Sequence, residues 1–325
     1  MQEIFFNLLV VSFVLLFAIA GNILDEPYFV TLATKIVILG IAGMGLNLVL
    51  GYGGLVSLGH AAFFGFGGYI SAISSIHFIN GDPINFWLFE LPGSTSMIVN
   101  WIWAVCLSLL LAILIGSISI RTSGVYFIMI TLAFAQMLYY FSVGWPKYGG
   151  EDGLSIYYRN EFFSANTMDP INFFLICFGW LCIVGFFLSW IVNSTFGMFL
   201  KGCKDNEEKM ISLGVEAFYI KLMAFIISGG IVGLAGSLYV DLNRFVSPAA
   251  FSWHTSGEIL IFVILGGSMR VFGPLVGAAT FILLEQFIGG ITESWQFWLG
   301  LILLLIVLYL PKGISGFFIK EKRNA

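Results

Sequence analysis

The sequence has 325 residues, of which 59% are apolar or aromatic, 38 are glycines and only 10% are charged, with a formal net charge of -4. Soluble domains contain about 45–50% apolar residues with glycine counted and about 25% charged residues, so this composition excludes an ordinary water-soluble enzyme and a disordered chain. Because a spanning helix needs about 20 apolar residues, the composition predicts an all-α polytopic membrane protein with about ten transmembrane helices.

Ten apolar runs follow one another along the chain. They cover Ile4–Ala20, Phe29–Leu50, His60–Ile79, Met97–Ile120, Gly124–Val143, Ile171–Val192, Ile220–Val240, Ser256–Met269, Gly273–Ile291 and Trp295–Leu310. The first run has a small-residue sequence at its end, as a signal peptide does, but no positive charge precedes it, which favours a retained helix. The sequence therefore predicts one transmembrane domain over residues 1–325.

The basic residues indicate the orientation of these helices. Ten of them follow even-numbered runs or lie in the tail, and three follow odd-numbered runs: Lys147, Arg159 and Arg244. Because cytoplasmic loops of membrane proteins carry an excess of Lys and Arg, this distribution predicts that both termini are cytoplasmic. Acidic residues predominate in the opposite loops, where a soluble partner could bind, although polar loops need no such explanation.

Two segments interrupt the simple pattern of spanning helices. The Gly-rich segment at residues 51–60 separates the second and third runs, and a short apolar stretch at residues 259–274 is broken at Arg270. Eleven apolar residues at 1.5 Å each cover about half of the roughly 30 Å hydrocarbon core. Interrupted segments in the two halves of a transporter are the best indication of a translocation site in a sequence.

Polar side chains near the first interruption are candidates for the translocation pathway. They are Asn47, Tyr52, Ser57 and His60. Each could contact a substrate or gate the pathway, or could instead form hydrogen bonds that hold helices together.

Three further candidates lie within apolar runs. Thr131 and Gln136 are five residues apart, about 140° around a helix, so both cannot face one pathway. Glu285 is an intramembrane carboxylate, which by default indicates a functional site or an ion pair. Lys35 could pair with Glu285 or could extend toward the outer interface.

The longest predicted cytoplasmic loop, residues 193–220, contains an amphipathic segment. The segment begins with Asp or Asn as a helix N-cap and continues with two acidic residues and an apolar face. It ends at the helix-terminating Gly214. A short helix of this kind could dock in a groove of another protein, or could be a solvated connector.

The sequence lacks the motifs that indicate several other functional classes. No phosphate-binding loop with Gly-Lys-Ser or Gly-Lys-Thr occurs, and no set of catalytic residues can be argued. The four cysteines and three histidines have no metal-ligand spacing, so no metal or cofactor is expected. No basic stripe indicates nucleic-acid binding. If transport is energised, its energy comes from an ion gradient or from a partner.

Several ordered blocks of sequence resemble one known family. They are Gly43–Tyr69, Arg121–Met137 with the order R-x-x-G-x-Y-F, Gly149–Ser155, and the later segments LGGSMRVFGPLVGA and LPKGISG. From Leu39 to Gly316 the chain resembles the LivM-type permease subunits of branched-chain amino-acid ABC importers.

This resemblance implies a set of partners. They are a second permease subunit, expected to form a heterodimer, two cytoplasmic ATPases, a periplasmic binding protein and the bilayer of a bacterial inner membrane. It also implies that the loop at 193–220 couples the chain to the ATPases, through Lys201, Asp205, Glu207, Glu208 and Gly214. Glu208 and Gly214 keep the spacing of the family's E-A-A-x-x-x-G pattern, whereas Lys209 and Met210 replace its alanines.

The implied function is import of branched-chain or other hydrophobic amino acids without covalent chemistry in this chain. Related permeases carry urea and short amides, which are an alternative substrate class. An alternative from another class is an ion-coupled secondary transporter or channel that uses an intramembrane carboxylate such as Glu285. In the C-terminal block, Met269 stands where the family commonly has a small residue.

Overall fold

The computed structural model describes residues 2–86, 89–163, 165–310 and 313–318. Thirteen α-helices account for most of them: α1 (Gln2–Ile23), α2 (Pro27–Asn47), α3 (His60–Asn80), α4 (Met97–Ser119), α5 (Val125–Val143), α6 (Pro170–Asn193), α7 (Thr195–Asp205), α8 (Glu207–Ser212), α9 (Ala217–Asn243), α10 (Trp253–Gly266), α11 (Gly273–Gly289), α12 (Trp295–Tyr309) and α13 (Ile314–Phe318). Four short strands form two antiparallel pairs: β1 (Ile84–Phe86) with β2 (Phe89–Leu91), and β3 (Leu154–Ser155) with β4 (Phe245–Val246).

The helix lengths confirm a polytopic helical membrane protein. Among the described residues, eight helical segments are long and apolar enough to span a bilayer, and two shorter apolar helices, α10 and α11, complete the predicted ten. At 1.5 Å per residue, the 14 residues of α10 extend about 21 Å, less than the roughly 30 Å hydrocarbon core. The short helix predicted near residue 259 is therefore present.

Local sequence signals explain where several helices begin and end. Proline occupies the first turn of α2, α6 and α11, where its missing N–H is not needed. Gly81 ends α3 with a positive φ of 72°, a conformation that costs glycine little.

Helices α2 and α9 lie at the centre of the bundle. Every residue of α2 from Ile36 to Asn47 is buried, and α9 packs against α2, α3 and α4. Glycines permit the closest approach, because a Cβ atom on Gly67 of α3 would lie 2.0 Å from the carbonyl oxygen of Gly233 on α9. Small residues at such crossings let helix backbones approach in lipid, where no hydrophobic force drives association.

A substitution at this crossing is expected to destabilise the fold. Replacing Gly67 by alanine forces α3 and α9 apart, and we expect a cost of about 1–3 kcal/mol, the usual range for overpacking. The thermal unfolding midpoint of the detergent-solubilised protein measures this. The matched control is Gly179→Ala on α6, where an added Cβ meets no atom of the described residues within 4 Å. Equal midpoints for the two variants contradict the close crossing.

The described loops gather at two opposite ends of the bundle. The basic end, as we call it, contains residues 51–59, 120–124, 194–216 and 267–272. The acidic end contains residues 24–26, 81–86, 89–96, 144–163, 165–169, 244–252 and 290–294. Contacts such as Lys204 to Gly51 at the basic end and Arg159 to Asp241 at the acidic end hold loops from distant parts of the sequence together. Four basic residues of the predicted cytoplasmic tail lie outside the described residues: Lys312, Lys320, Lys322 and Arg323.

Candidate functional site

The two predicted interruptions meet at the basic end. A π-helical turn, Leu48–Tyr52, extends α2, and the turn at residues 267–272 joins α10 to α11. The Asn47 side-chain amide donates a hydrogen bond to the Arg270 carbonyl oxygen at 2.7 Å, and its Oδ1 accepts one from the Met269 N–H at 3.2 Å. The Tyr52 hydroxyl donates to the Met269 carbonyl oxygen at 2.6 Å. We call this contact, residues 47–54 with 267–270, the break junction.

The backbone of the break junction requires small or strained residues. A Cβ atom on Gly51 would lie 2.2 Å from Asn47 Oδ1 and 2.7 Å from the Met269 nitrogen. Met269 has a φ of 69°, in the left-handed region that costs about 1–2 kcal/mol for a residue other than glycine. Met269 is 45% exposed, so its side chain is accommodated at the surface of the turn. Strained backbone of this kind is typical of functional sites.

Helix α7 contacts the break junction directly. The Lys204 ammonium donates a hydrogen bond to the Gly51 carbonyl oxygen at 2.8 Å, and Lys201 Nζ lies 5.3 Å from the centroid of the Tyr52 ring. Cys203 lies between these two lysines in the sequence. Burial raises the pKa of its thiol, so that side chain stays neutral. A displacement of α7 therefore acts on both lysine contacts to the first interruption.

The predicted short helix in the loop at 193–220 is present as α8. Asn206 caps it by accepting a hydrogen bond from the Lys209 N–H at 2.9 Å, and Gly214 follows its end with a φ of 83°. Glu207 pairs with Lys221 at 2.5 Å. No residue of α8 is buried, so both its acidic residues and its apolar Ile211 face solvent.

His60, Ser57 and Thr131 lie together in the interior. The Ser228 hydroxyl donates to the Gly45 carbonyl oxygen at 2.6 Å, so it accepts from His60 Nε2 at 2.9 Å. The Ser57 hydroxyl, which accepts from the Gly59 N–H, lies at hydrogen-bond distance from His60 Nδ1, 2.9 Å away. The Ser228 contact places a proton on Nε2, and this hydrogen bond joins α3 to α9.

The two polar candidates on α5 face different surroundings. Thr131 is buried against Gly59, and its hydroxyl donates to the Ile128 carbonyl oxygen of its own helix at 3.0 Å. Gln136 is half-buried, and its Nε2 has no hydrogen-bond partner within the described chain. The structure does not bring Gln136 to the break junction or to His60.

Glu285 lies near the acidic end, far along α11 from the break junction. Its carboxylate is 3.6 Å from the Lys35 ammonium on α2, and both side chains are about one-third exposed. The pair lines a cavity of about 380 Å³ between α2, α3, α9, α10 and α11. The predicted pathway residues are thus divided between the break junction, the buried histidine and this cavity.

A buried polar cluster lies at the acidic end, and no pattern in the sequence predicted it. The Arg159 guanidinium donates to the Asp241 and Thr167 carbonyl oxygens, and the Asn160 amide donates to the Asp241 carboxylate at 2.6 Å. Burial lowers the pKa of Arg159, and the Asp241 charge opposes that shift. The cluster fixes the loop at 144–169 onto α9. In the sequence, this cluster is indicated only by the position of Asp241, an acidic residue near the end of an apolar run.

Within the described residues, eight spanning and two shorter apolar helices surround two interrupted segments that contact each other, and this arrangement defines a multi-pass membrane permease. Residues 28–310 match the family described as "Branched-chain amino acid transport system / permease component". The chain belongs to this family, and it is a transport subunit.

Similar proteins come from bacteria and from an archaeon. The chain is 26% identical to the high-affinity branched-chain amino acid transport system permease protein LivM of Salmonella typhimurium, over 92% of this chain and 73% of that protein. It is 23% identical to a probable LivM of Methanocaldococcus jannaschii, over 84% and 89% of the two chains. The autoinducer 2 import system permease protein LsrC of Salmonella typhimurium is 28% identical over only 34% of this chain and 33% of its own length. No solved structure matches the chain significantly.

Proposed function

We propose that this chain is a membrane-spanning subunit of an ATP-driven importer that carries branched-chain or other hydrophobic amino acids. The observation that carries the proposal is the continuous contact from the exposed helix α8 through α7 to the break junction. Membership of the branched-chain amino acid permease family supports the substrate class. The family does not favour the alternatives of a urea or short-amide permease or of an ion-coupled transporter.

The exposed surface of α8 supports a docking role. Ile211 is 58% exposed and Leu213 is 76% exposed, beside the acidic Glu208. Apolar side chains on a short amphipathic helix insert into a groove of a partner, and the charges around them favour one orientation. We assign the groove to a cytoplasmic ATPase, with Lys201, Asp205, Glu207, Glu208 and Gly214 in the coupling segment 193–220.

The arrangement indicates how ATP hydrolysis could drive alternating access. When the ATPases close, α8 moves with them, and α7 follows because one residue, Asn206, separates the two helices. The Lys204 contact transmits this movement to Gly51, and Asn47 and Tyr52 transmit it to the turn at 267–270. Separation of the two interruptions opens the pathway to the cytoplasm. A ligand can shift such an equilibrium only through contacts that differ between the two states.

The remaining parts of the importer belong to the same proposal. A second permease subunit, most simply in a heterodimer, forms the membrane unit, two ATPases bind below it, and a periplasmic binding protein delivers the substrate to the acidic end. The excess of lysine and arginine at the basic end supports cytoplasmic termini in a bacterial inner membrane. Residues 1–325 act as one transmembrane domain.

Reconstitution tests the proposed function. The complex purified from its native membrane is expected to contain two copies of an ATPase and to import labelled leucine into proteoliposomes only with ATP and the binding protein. A matched complex with a substituted catalytic carboxylate in each ATPase is expected to lose this uptake. Undiminished uptake in that complex, or uptake by this chain alone under an imposed ion gradient, contradicts the proposal. A panel with urea and acetamide distinguishes the substrate classes.

A further inference from the structure

The cavity at the acidic end has the size of a small-molecule site. Its volume of about 380 Å³ lies within the range of about 300–1,000 Å³ that such sites occupy. Residues 245–250 cover part of it, and its walls are the halves of α2, α10 and α11 that are distant from the break junction. At 1.5 Å per residue, Lys35 lies about 12 Å along α2 from the acidic end and Glu285 lies about 6 Å along α11. The cavity therefore reaches below the loops into the bundle.

The cavity contains more charged groups than one ion pair requires. Lys35 and Glu285 face each other across 3.6 Å, which is longer than the roughly 2.7–2.9 Å of a direct charged hydrogen bond. Glu258 on α10 also lines the cavity and interacts electrostatically with both of them. His254, one turn before Glu258, lies 3.5 Å from its carboxylate and is 69% exposed. The cavity lining therefore places two carboxylates, those of Glu258 and Glu285, beside one ammonium group, that of Lys35.

An intramembrane charge without a full partner is costly and indicates a functional site by default. A structural ion pair would require Lys35 and one carboxylate only. His254, which contacts Glu258, does not line the cavity, so a cation inside the cavity could pair with the second carboxylate. The ammonium group of a ligand would supply that cation, and the loose Lys35–Glu285 contact leaves Lys35 able to bind an anionic group of the same ligand.

Apolar side chains form another part of the wall, beside polar residues such as Asn243 and Thr255. Leu39 from α2, Phe64 from α3, Phe262 from α10 and Phe281 from α11 face the same space. A ligand with an ammonium group, a carboxylate and an apolar side chain would satisfy both the charges and this surface, because buried charges must be paired and buried apolar area favours binding.

We propose that the cavity binds a zwitterionic amino acid with a hydrophobic side chain. The ligand carboxylate pairs with Lys35, its ammonium group lies between Glu258 and Glu285, and its side chain packs against the phenylalanines. This inference rests on the proposed import function and names the point where the substrate first binds the permease. The same helices α2, α10 and α11 reach the break junction at their other ends, so entry and exit lie at opposite ends of one helix group.

Protection of an introduced cysteine tests the site. Ser247 lines the cavity and its hydroxyl makes no capping hydrogen bond, so Ser247→Cys introduces a thiol of similar size. The exposed Cys106 and Cys182 are replaced by alanine. The full reconstituted complex, without ATP and without the binding protein, is labelled from outside with a membrane-impermeant methanethiosulfonate. At a leucine concentration about ten times the dissociation constant, we expect labelling to slow about tenfold.

Analogues and a neutral double variant define the expected specificity. Leucinol lacks the carboxylate and 4-methyl-2-oxopentanoate lacks the ammonium group, so neither is expected to slow labelling appreciably. Lys35→Gln with Glu285→Gln removes both members of the pair together, so neither is left facing a lost partner, and leucine protection is expected to disappear. A Tyr157→Cys control, at an 80% exposed position of the acidic end outside the cavity, is expected to label equally with and without leucine.

The outcomes separate this inference from the proposed function. Retained protection in the double variant, equal protection by leucinol, or equal protection by salt alone overturns the amino-acid site. If ATP-dependent leucine uptake by the wild-type complex is normal but leucine does not protect Ser247→Cys, the site is wrong and the proposed function stands. If leucine protects but uptake does not need the ATPases, the proposed function is wrong and the site stands.

Discussion

Replacing Gly51 by alanine is expected to reduce ATP-driven uptake at least about tenfold while the protein remains in the membrane. The added Cβ would lie 2.2 Å from Asn47 Oδ1 and 2.7 Å from the Met269 nitrogen, so the break junction cannot close as it does in the wild type. Overpacking costs about 1–3 kcal/mol, and each 1.4 kcal/mol shifts a two-state equilibrium about tenfold. Leucine uptake by the reconstituted complex, normalised to the amount of permease, measures the effect.

Two controls distinguish a gating defect from a folding defect. Gly300→Ala on α12 adds the same methyl group where no atom lies within 4 Å, and we expect normal uptake. The thermal unfolding midpoint of Gly51→Ala should fall no further than that of Gly67→Ala, because overpacking costs about 1–3 kcal/mol at either position, while the amount of permease in the membrane stays normal. Normal uptake by Gly51→Ala at normal membrane levels would falsify the assignment of the break junction as the cytoplasmic gate.

The double substitution Ile211→Asp and Leu213→Asp is expected to abolish ATP-driven uptake. Both side chains are exposed on or directly after α8, and the proposed docking buries them in an ATPase. Burying a carboxylate without a partner costs several kcal/mol, far more than the packing of one apolar side chain contributes. Copurification of the ATPases and leucine uptake are the measurements, and both are expected to fall more than about 100-fold in the strongest case.

A conservative variant provides the matched control. Ile211→Met with Leu213→Met keeps an apolar surface of similar size, so copurification and uptake should remain close to wild type. Because the wild-type side chains are exposed in the isolated chain, neither double variant should change the unfolding midpoint appreciably. Normal copurification and uptake by the aspartate variant contradict the coupling role of α8.

These two predictions probe opposite ends of one chain of contacts. Helix α8 presents the docking surface, α7 carries Lys201 and Lys204, and the break junction holds the two interruptions together. A defect at Gly51 should leave ATPase binding intact, whereas the defect at Ile211 and Leu213 should leave the break junction intact. Comparing copurification in the two variants therefore locates the defect.

Local sequence patterns predicted the helical elements well. The ten apolar runs, the short α10 and the capped α8 all depend on residues that are close in sequence: the length of an apolar run, the Asn206 cap, and Gly214 with its positive φ. Such features follow from the hydrogen-bonding and conformational preferences of individual residues. The pathway and coupling roles of the candidate residues stay predictions.

Contacts between distant residues could not be predicted in the same way. Asn47 and Met269 are 222 residues apart, and nothing in either segment alone specifies the other. The sequence suggested Asn47 and Tyr52 as pathway residues but did not reveal that they hold the second interruption, and it did not single out Lys204 as a ligand of Gly51. It left open whether Lys35 and Glu285 form a pair.

The sequence by itself determined that the chain spans a membrane, where its helices are interrupted, and which loops carry the basic charge. These properties depend on composition and on spacing along the chain, because a bilayer selects for apolar length and for the location of lysine and arginine. Only the tertiary structure decided that the two interruptions close on each other, and that Lys35, Glu258 and Glu285 share one cavity. Helix packing through small residues determines those distances, and packing depends on the shapes of all the helices together.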